Sequence, residues 1–185
     1  PMNELAPYYL NERLENLILQ VTQQCNLRCS YCVYSGKYIN RTHNSSVMPY
    51  ETACRAVDFF MARNLLVEKP SMGFYGGEPL LQFGLIKRIV SYVKENYPGR
   101  EIQFNMTVNG TLLTEEVVDF LAENNFSLTL SIDGPKEIHD ANRRFVSGAG
   151  LLRPDYGKAE IYKGDLPGLF QKDNDKHGAE PGLRL

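Results

Sequence analysis

The sequence predicts an α/β fold, a parallel sheet covered by helices. Short apolar runs alternate with longer amphipathic stretches four times within the first 148 residues, the pattern of repeated strand–helix units. The longer stretches repeat apolar residues at three- and four-residue steps, the period of a helix with one buried face. Clusters of cysteine, glycine and asparagine directly follow the apolar runs. That places them at the C-terminal ends of strands, where parallel α/β proteins build their sites.

The first strand is Leu17-Ile18-Leu19-Gln20-Val21, reached through a polar lead-in over residues 1–14. It runs into the loop Cys25-Asn26-Leu27-Arg28-Cys29-Ser30-Tyr31-Cys32. Residues 33–48 are polar and mixed and predict an extended loop with at most a partial helix. Pro49 suits the first turn of a helix whose apolar face is Ala53, Ala56, Val57, Phe60, Met61 and Leu65. Cys54 lies beside that face and reads as a small buried hydrophobe. A second strand at 71–75 leads into Gly76-Gly77-Glu78-Pro79, and a helix over 81–97 presents Leu85, Ile86, Ile89, Val90 and Val93. Pro98-Gly99 stops that helix. A third strand over 101–108 ends in Asn109-Gly110, and Thr114 caps a third helix with Glu115 and Glu116 in its first turn. A fourth strand over 127–132 ends in Asp133-Gly134-Pro135, followed by a helix over 136–145. Residues 149–185 carry Pro154, Pro167 and Pro181 without a periodic apolar face and predict an irregular tail, with a short strand at most over 159–162.

The chain of 185 residues is 43% apolar and 23% charged, with a net charge of −2. These values suit one globular domain and argue against a nucleic-acid-binding surface. No run approaches the roughly 20 apolar residues of a membrane span. The opening residues lack the basic end and apolar core of a signal peptide. Ligand-type cysteines without an export signal point to a reducing cytoplasm.

Three of the four cysteines fall within eight residues. Three thiols cannot all pair with one another, so they read as soft ligands for a metal or cluster. Three ligands leave one metal position open for chemistry, as in catalytic zinc sites. A closed zinc site that recruits His43 or Cys54 as fourth ligand is the competing reading.

The spacing Cys25-x3-Cys29-x2-Cys32 after a first strand resembles the signature of the radical S-adenosylmethionine (radical SAM) superfamily. Gly76-Gly77-Glu78, Thr107-Val108-Asn109-Gly110, Ser131-Ile132-Asp133-Gly134-Pro135 and His139-Asp140 with Arg143 follow in the same order. Together they look like the anaerobic sulfatase-maturating enzymes and the related SPASM-type peptide maturases, over roughly residues 15–148. The resemblance implies a partial (β/α) TIM-like barrel of which this chain holds about four units. It implies a [4Fe-4S] cluster on Cys25, Cys29 and Cys32, with S-adenosylmethionine (SAM) on the open iron. Cleavage of SAM by a low-potential electron donor then yields a radical that takes hydrogen from a peptide or protein substrate.

The same resemblance assigns Gly76, Gly77 and Glu78 to the methionyl amino group, Ser131 to the SAM ribose and Arg143 to its carboxylate, with Arg144 adjacent. Tyr31 covers the adenine side. Asn109 and Asp133 are either ligand contacts or strand-end turn residues, and His139 reads as structural. No catalytic acid or base is singled out. The family's later strands and auxiliary-cluster cysteines have no counterpart, so a partner chain that completes the barrel and a truncated binding module without turnover are both expectations.

Overall fold

The computed structural model describes residues 10–36 and 38–151. Four strands, β1 (Asn16–Thr22), β2 (Ser71–Gly76), β3 (Gln103–Val108) and β4 (Ser127–Leu130), form one sheet in the order β1-β2-β3-β4. Every pairing is parallel. The helices are α1 (Tyr50–Met61), α2 (Phe83–Asn96), α3 (Glu115–Glu123) and α4 (Lys136–Asn142). Parallel neighbours require a crossover between successive strands, and these helices supply it.

Alternation along the strands divides the sheet into two unlike faces. Leu19, Val21, Met72, Phe74, Phe104, Met106, Val108, Leu128 and Leu130 are buried in one core. They meet Ala53, Val57, Phe60 and Met61 of α1, Ile86, Ile89, Val90 and Val93 of α2, and Val117 and Leu121 of α3. The intervening strand residues face the other way. There Ile18 is 70% and Tyr75 47% exposed, and Asn105 donates from Nδ2 to Ser71 Oγ at 2.7 Å.

Several boundaries differ from the sequence expectation. Pro49 is the N-cap of α1 rather than a first-turn residue. Leu65 lies beyond the end of α1 and is 64% exposed, so it does not belong to the apolar face. A 3-10 turn, Pro79–Gln82, precedes α2 because the Glu78 side chain caps it through Leu80 N–H. β4 ends at Leu130, although Ser131 N–H still bonds Val108 O at 3.0 Å. α4 stops at Asn142 rather than near 145, because the following residues turn extended and bond the cysteine loop. Residues 38–48 hold turns and isolated bridges, not a helix. Thr114 caps α3 as expected, accepting from Val117 N–H. The start of the lead-in and the tail beyond residue 151, including the short strand over 159–162, lie outside the described residues.

Three phenylalanines anchor the core beneath the sheet. Phe74, Phe104 and Phe126 stack with centroid separations of 5.3 to 6.3 Å. Phe74 is 1% exposed. Phe74→Ala removes one side of this stack and leaves a cavity, so it should cost about 3–5 kcal/mol. Urea unfolding checks this, and a loss below about 1 kcal/mol would show that the stack repacks.

Candidate functional site

The cysteine loop has no regular structure of its own and borrows its shape from both sides. On one side it is held by the segment after β2. Gly77 N–H bonds Thr22 O at 3.0 Å and Glu78 N–H bonds Gln24 O at 2.9 Å. These bonds bring two backbones into contact. A Cβ at Gly76 would lie 2.0 Å from Thr22 O, and one at Gly77 would lie 2.2 Å from Gln24 O. Gly76 also has φ +140°, a region closed to most side chains. The glycine pair is therefore demanded by the chain's own main chain.

On the other side the loop pairs with the extended residues after α4. Arg28 N–H bonds Arg144 O at 2.8 Å and Ser30 N–H bonds Asn142 O at 2.9 Å. From within, the Arg28 guanidinium donates to Cys25 O and Leu27 O at 2.7 and 2.8 Å.

Glu78 joins the strand ends. It is 1% exposed. Its Oε1 accepts Leu80 N–H at 3.1 Å and its Oε2 accepts Asn109 N–H at 2.8 Å. Burial pushes its carboxyl up to about 7, against the pull of those two N–H groups. Its oxygens thus serve as backbone acceptors, a role that the sequence reading did not give it.

Asp133 makes a second junction. Its carboxylate accepts Tyr31 Oη–H at 2.7 Å and Arg143 Nε–H at 2.8 Å. Burial raises its carboxyl, but these two donors outweigh that and hold it below the usual range. The Arg143 guanidinium lies 5.5 Å from the Tyr31 ring centroid. His139 is 2% exposed, and its Nδ1 accepts Asp133 N–H at 3.3 Å. This is the structural role expected for it.

All three loop thiols are free. With Tyr31, Gly76, Gly77, Glu78, Asn109, Ser131 and Arg143 they line one cavity of about 290 Å³. Leu27 N–H points at Cys25 Sγ and Tyr34 N–H at Cys32 Sγ, both at 3.4 Å. Amide donors aimed at sulfur suit thiolates that bind a cluster. Burial raises the Cys25 thiol to about 11 and raises that of Cys29, whose shift nearby Arg143 moderates. Metal ligation would have to overcome that cost. Among the described residues, no three His, Cys, Asp or Glu side chains close to single-ion distance. The three soft thiol donors are gathered around one cavity, a set whose chemistry suits a metal or cluster.

His43 and Cys54 do not line this cavity. His43 Nδ1–H donates to Tyr34 O and its Nε2 accepts from Arg28, both at 3.0 Å. Both ring nitrogens are engaged, which removes it as a ready zinc ligand. Cys54 is half-buried on α1, beside Tyr50.

The family description "Radical SAM superfamily" matches residues 19–153. The chain belongs to the radical SAM superfamily. It is 36% identical over 155 residues to a cysteine-type anaerobic sulfatase-maturating enzyme of Clostridium perfringens, covering 81% of this chain and 41% of that relative. It is 32% identical over 134 residues to a serine-type anaerobic sulfatase-maturating enzyme of Bacteroides thetaiotaomicron, covering 71% and 32%. The solved structure of native anSMEcpe with bound AdoMet and Kp18Cys peptide matches with a TM-score of 0.63 and 32% identity, covering 73% of this chain and 36% of that one. The fold is thus a partial radical SAM TIM-like barrel, and the chain spans about two-fifths of the Clostridium relative's length.

Sequence reasoning passed over Thr111 and named no partner for Asn26. Asn26 Nδ2 donates to Thr111 Oγ1 at 2.7 Å, and Asn109 Nδ2 donates to Asn26 Oδ1 at 2.9 Å. Asn109 read as either a ligand contact or a strand-end turn residue, and its partner Asn26 lies 83 residues away.

Glu78→Gln tests the strand-end junction in this radical SAM fold. An amide has one acceptor oxygen, so it must turn an NH2 group against a backbone N–H. The expected loss is about 1–3 kcal/mol in denaturant unfolding. Unchanged stability would show that the two N–H groups find other partners.

Proposed function

We propose that this chain forms the N-terminal core of a radical SAM enzyme that acts on a peptide or protein side chain. The observation that carries the reading is the convergence of Cys25, Cys29 and Cys32 with the ends of β2, β3 and β4 on one cavity. Cys25, Cys29 and Cys32 would hold a [4Fe-4S] cluster. Bound there, it would supply one-electron reduction of SAM by a low-potential donor, the chemistry that generates a radical able to take hydrogen from the substrate.

The chain's own residues bind and orient. The segment Gly76-Gly77-Glu78 receives the methionyl amino group. Glu78 supplies negative charge there while its oxygens stay bonded to Leu80 and Asn109. Arg143 takes the SAM carboxylate through guanidinium nitrogens other than the Nε bound to Asp133. Ser131 bonds the ribose, and Tyr31, tied to Asp133 through its hydroxyl, covers the adenine. Val33, Tyr34 and Tyr75 line the same cavity and help keep water from it.

Peptidyl substrates fit the relatives, two of which are sulfatase-maturating enzymes, and a solved neighbour that holds a peptide. The reading places the work in the reducing cytoplasm, where thiols stay free. No helix among the described residues is long and apolar enough to cross a membrane. A second reading is a module that binds the cluster or SAM without turnover. In the enzyme reading, further strands or a partner chain complete the barrel beside β4, which pairs only with β3 among the described residues.

Anaerobic reconstitution with iron and sulfide, followed by SAM and dithionite, separates the two. The enzyme reading expects 5′-deoxyadenosine, and its loss in each of Cys25→Ala, Cys29→Ala and Cys32→Ala. A stable cluster that yields no 5′-deoxyadenosine would favour the binding module. Absence of any cluster would defeat the enzyme reading, and absence of SAM binding as well would defeat the module.

A further inference from the structure

Beside Cys25, three side chains close a ring of hydrogen bonds. Thr111 Oγ1–H donates to Asn109 Oδ1 at 2.7 Å, Asn109 Nδ2–H to Asn26 Oδ1 at 2.9 Å, and Asn26 Nδ2–H to Thr111 Oγ1 at 2.7 Å. The direction of the ring is fixed by the backbone. Thr111 N–H can only donate, and it points at Asn109 Oδ1 at 3.0 Å. The Asn109 amide nitrogen must therefore face the opposite way. It stands 3.9 Å from Cys25 Sγ. Asn109 is itself anchored, since its own N–H bonds buried Glu78.

The Cys25 thiol also lies 3.9 Å from Asn26 Oδ1, to which it can donate while protonated. A metal-bound thiolate has no proton to donate. Only acceptance then remains, from Leu27 N–H and from Asn109 Nδ2–H. Hydrogen bonds to a ligating sulfur withdraw electron density and favour the reduced cluster.

We propose that Thr111 is a positioning residue, which sets the Asn109 amide against Cys25 Sγ and thereby raises the reduction potential of the cluster. The inference rests on the reading that Cys25 is a cluster ligand. Thr111→Val keeps the shape and the backbone N–H to Asn109 Oδ1 but deletes the hydroxyl, which is the second donor to Asn109 and the acceptor for Asn26. Thr111→Ser keeps both.

The full chain is reconstituted anaerobically as wild type, Thr111→Val and Thr111→Ser, and each cluster is titrated by EPR-monitored reduction. Thr111→Val should titrate at a lower potential than wild type, and Thr111→Ser should match wild type. Equal potentials in all three, a Thr111→Ser potential as low as that of Thr111→Val, or loss of the cluster in Thr111→Val alone would each overturn the proposal.

Side-chain amide exchange, followed by NMR in the cluster-free proteins, examines the ring without any cluster. Slow exchange of the Asn26 and Asn109 amides is expected in wild type and Thr111→Ser, and fast exchange in Thr111→Val. Equal exchange in all three would overturn the positioning role. Wild type that takes up no cluster would sink the ligand reading instead, and the exchange data would still decide the ring.

Discussion

One buried carboxylate makes the strand ends into a site. Glu78 bonds Asn109 N–H and Leu80 N–H through its side chain and Gln24 O through its own N–H. It thus ties the exits of β1, β2 and β3. A carboxylate at such depth is costly, and burial pushes its carboxyl up. Both oxygens take backbone donors that have no strand partner left at the sheet's edge. A neutral side chain with one acceptor could not satisfy both. The polar site and the apolar sheet therefore share a boundary held by a single residue.

The sheet beneath that boundary has unlike faces because its strands alternate. Apolar residues of β1 to β4 are sealed against the helices, with Phe74 and Phe104 stacked on Phe126. The opposite face carries Gln20, Tyr75, Asn105, Thr107 and Thr129, none of them fully buried. Two of its residues, Tyr75 and Thr107, reach the cavity that holds the three cysteines. The site opens onto the polar side, and the core braces it from behind.

The strands and helices were legible because burial writes a period into the sequence. Val57, Phe60 and Met61 on α1, and Ile86, Ile89 and Val93 on α2, recur at helical steps and are buried. The parallel sense of the four strands followed from strand–helix alternation. Element ends were less legible, since they are set by distant partners. α4 stops at Asn142 because its next residues bond the cysteine loop more than a hundred residues away. Leu65 fitted the α1 pattern but lies past the helix end. The ten residues that the cysteine spacing and the family resemblance placed at the site line one cavity. Their mutual bonds were not legible. Nothing local marks Asp133 as the acceptor for both Tyr31 and Arg143, or Thr111 as the partner of Asn26.

Those bonds matter because the cysteine loop cannot hold itself. Its eight residues span three thiols with no helix or strand between them. Order comes from outside, through Gly77 and Glu78 on one flank and residues 142–146 on the other. The two flanks follow different strands of the sheet, β2 and β4. Side chains repeat the same division. Asn26 reaches towards β3 through Asn109, while Tyr31 reaches towards β4 through Asp133. A shift of β4 relative to β2 would therefore pull the first and last cysteines in different directions. Spacing in the sequence makes three thiols available, but only a sheet with its strand ends in register keeps them facing one space.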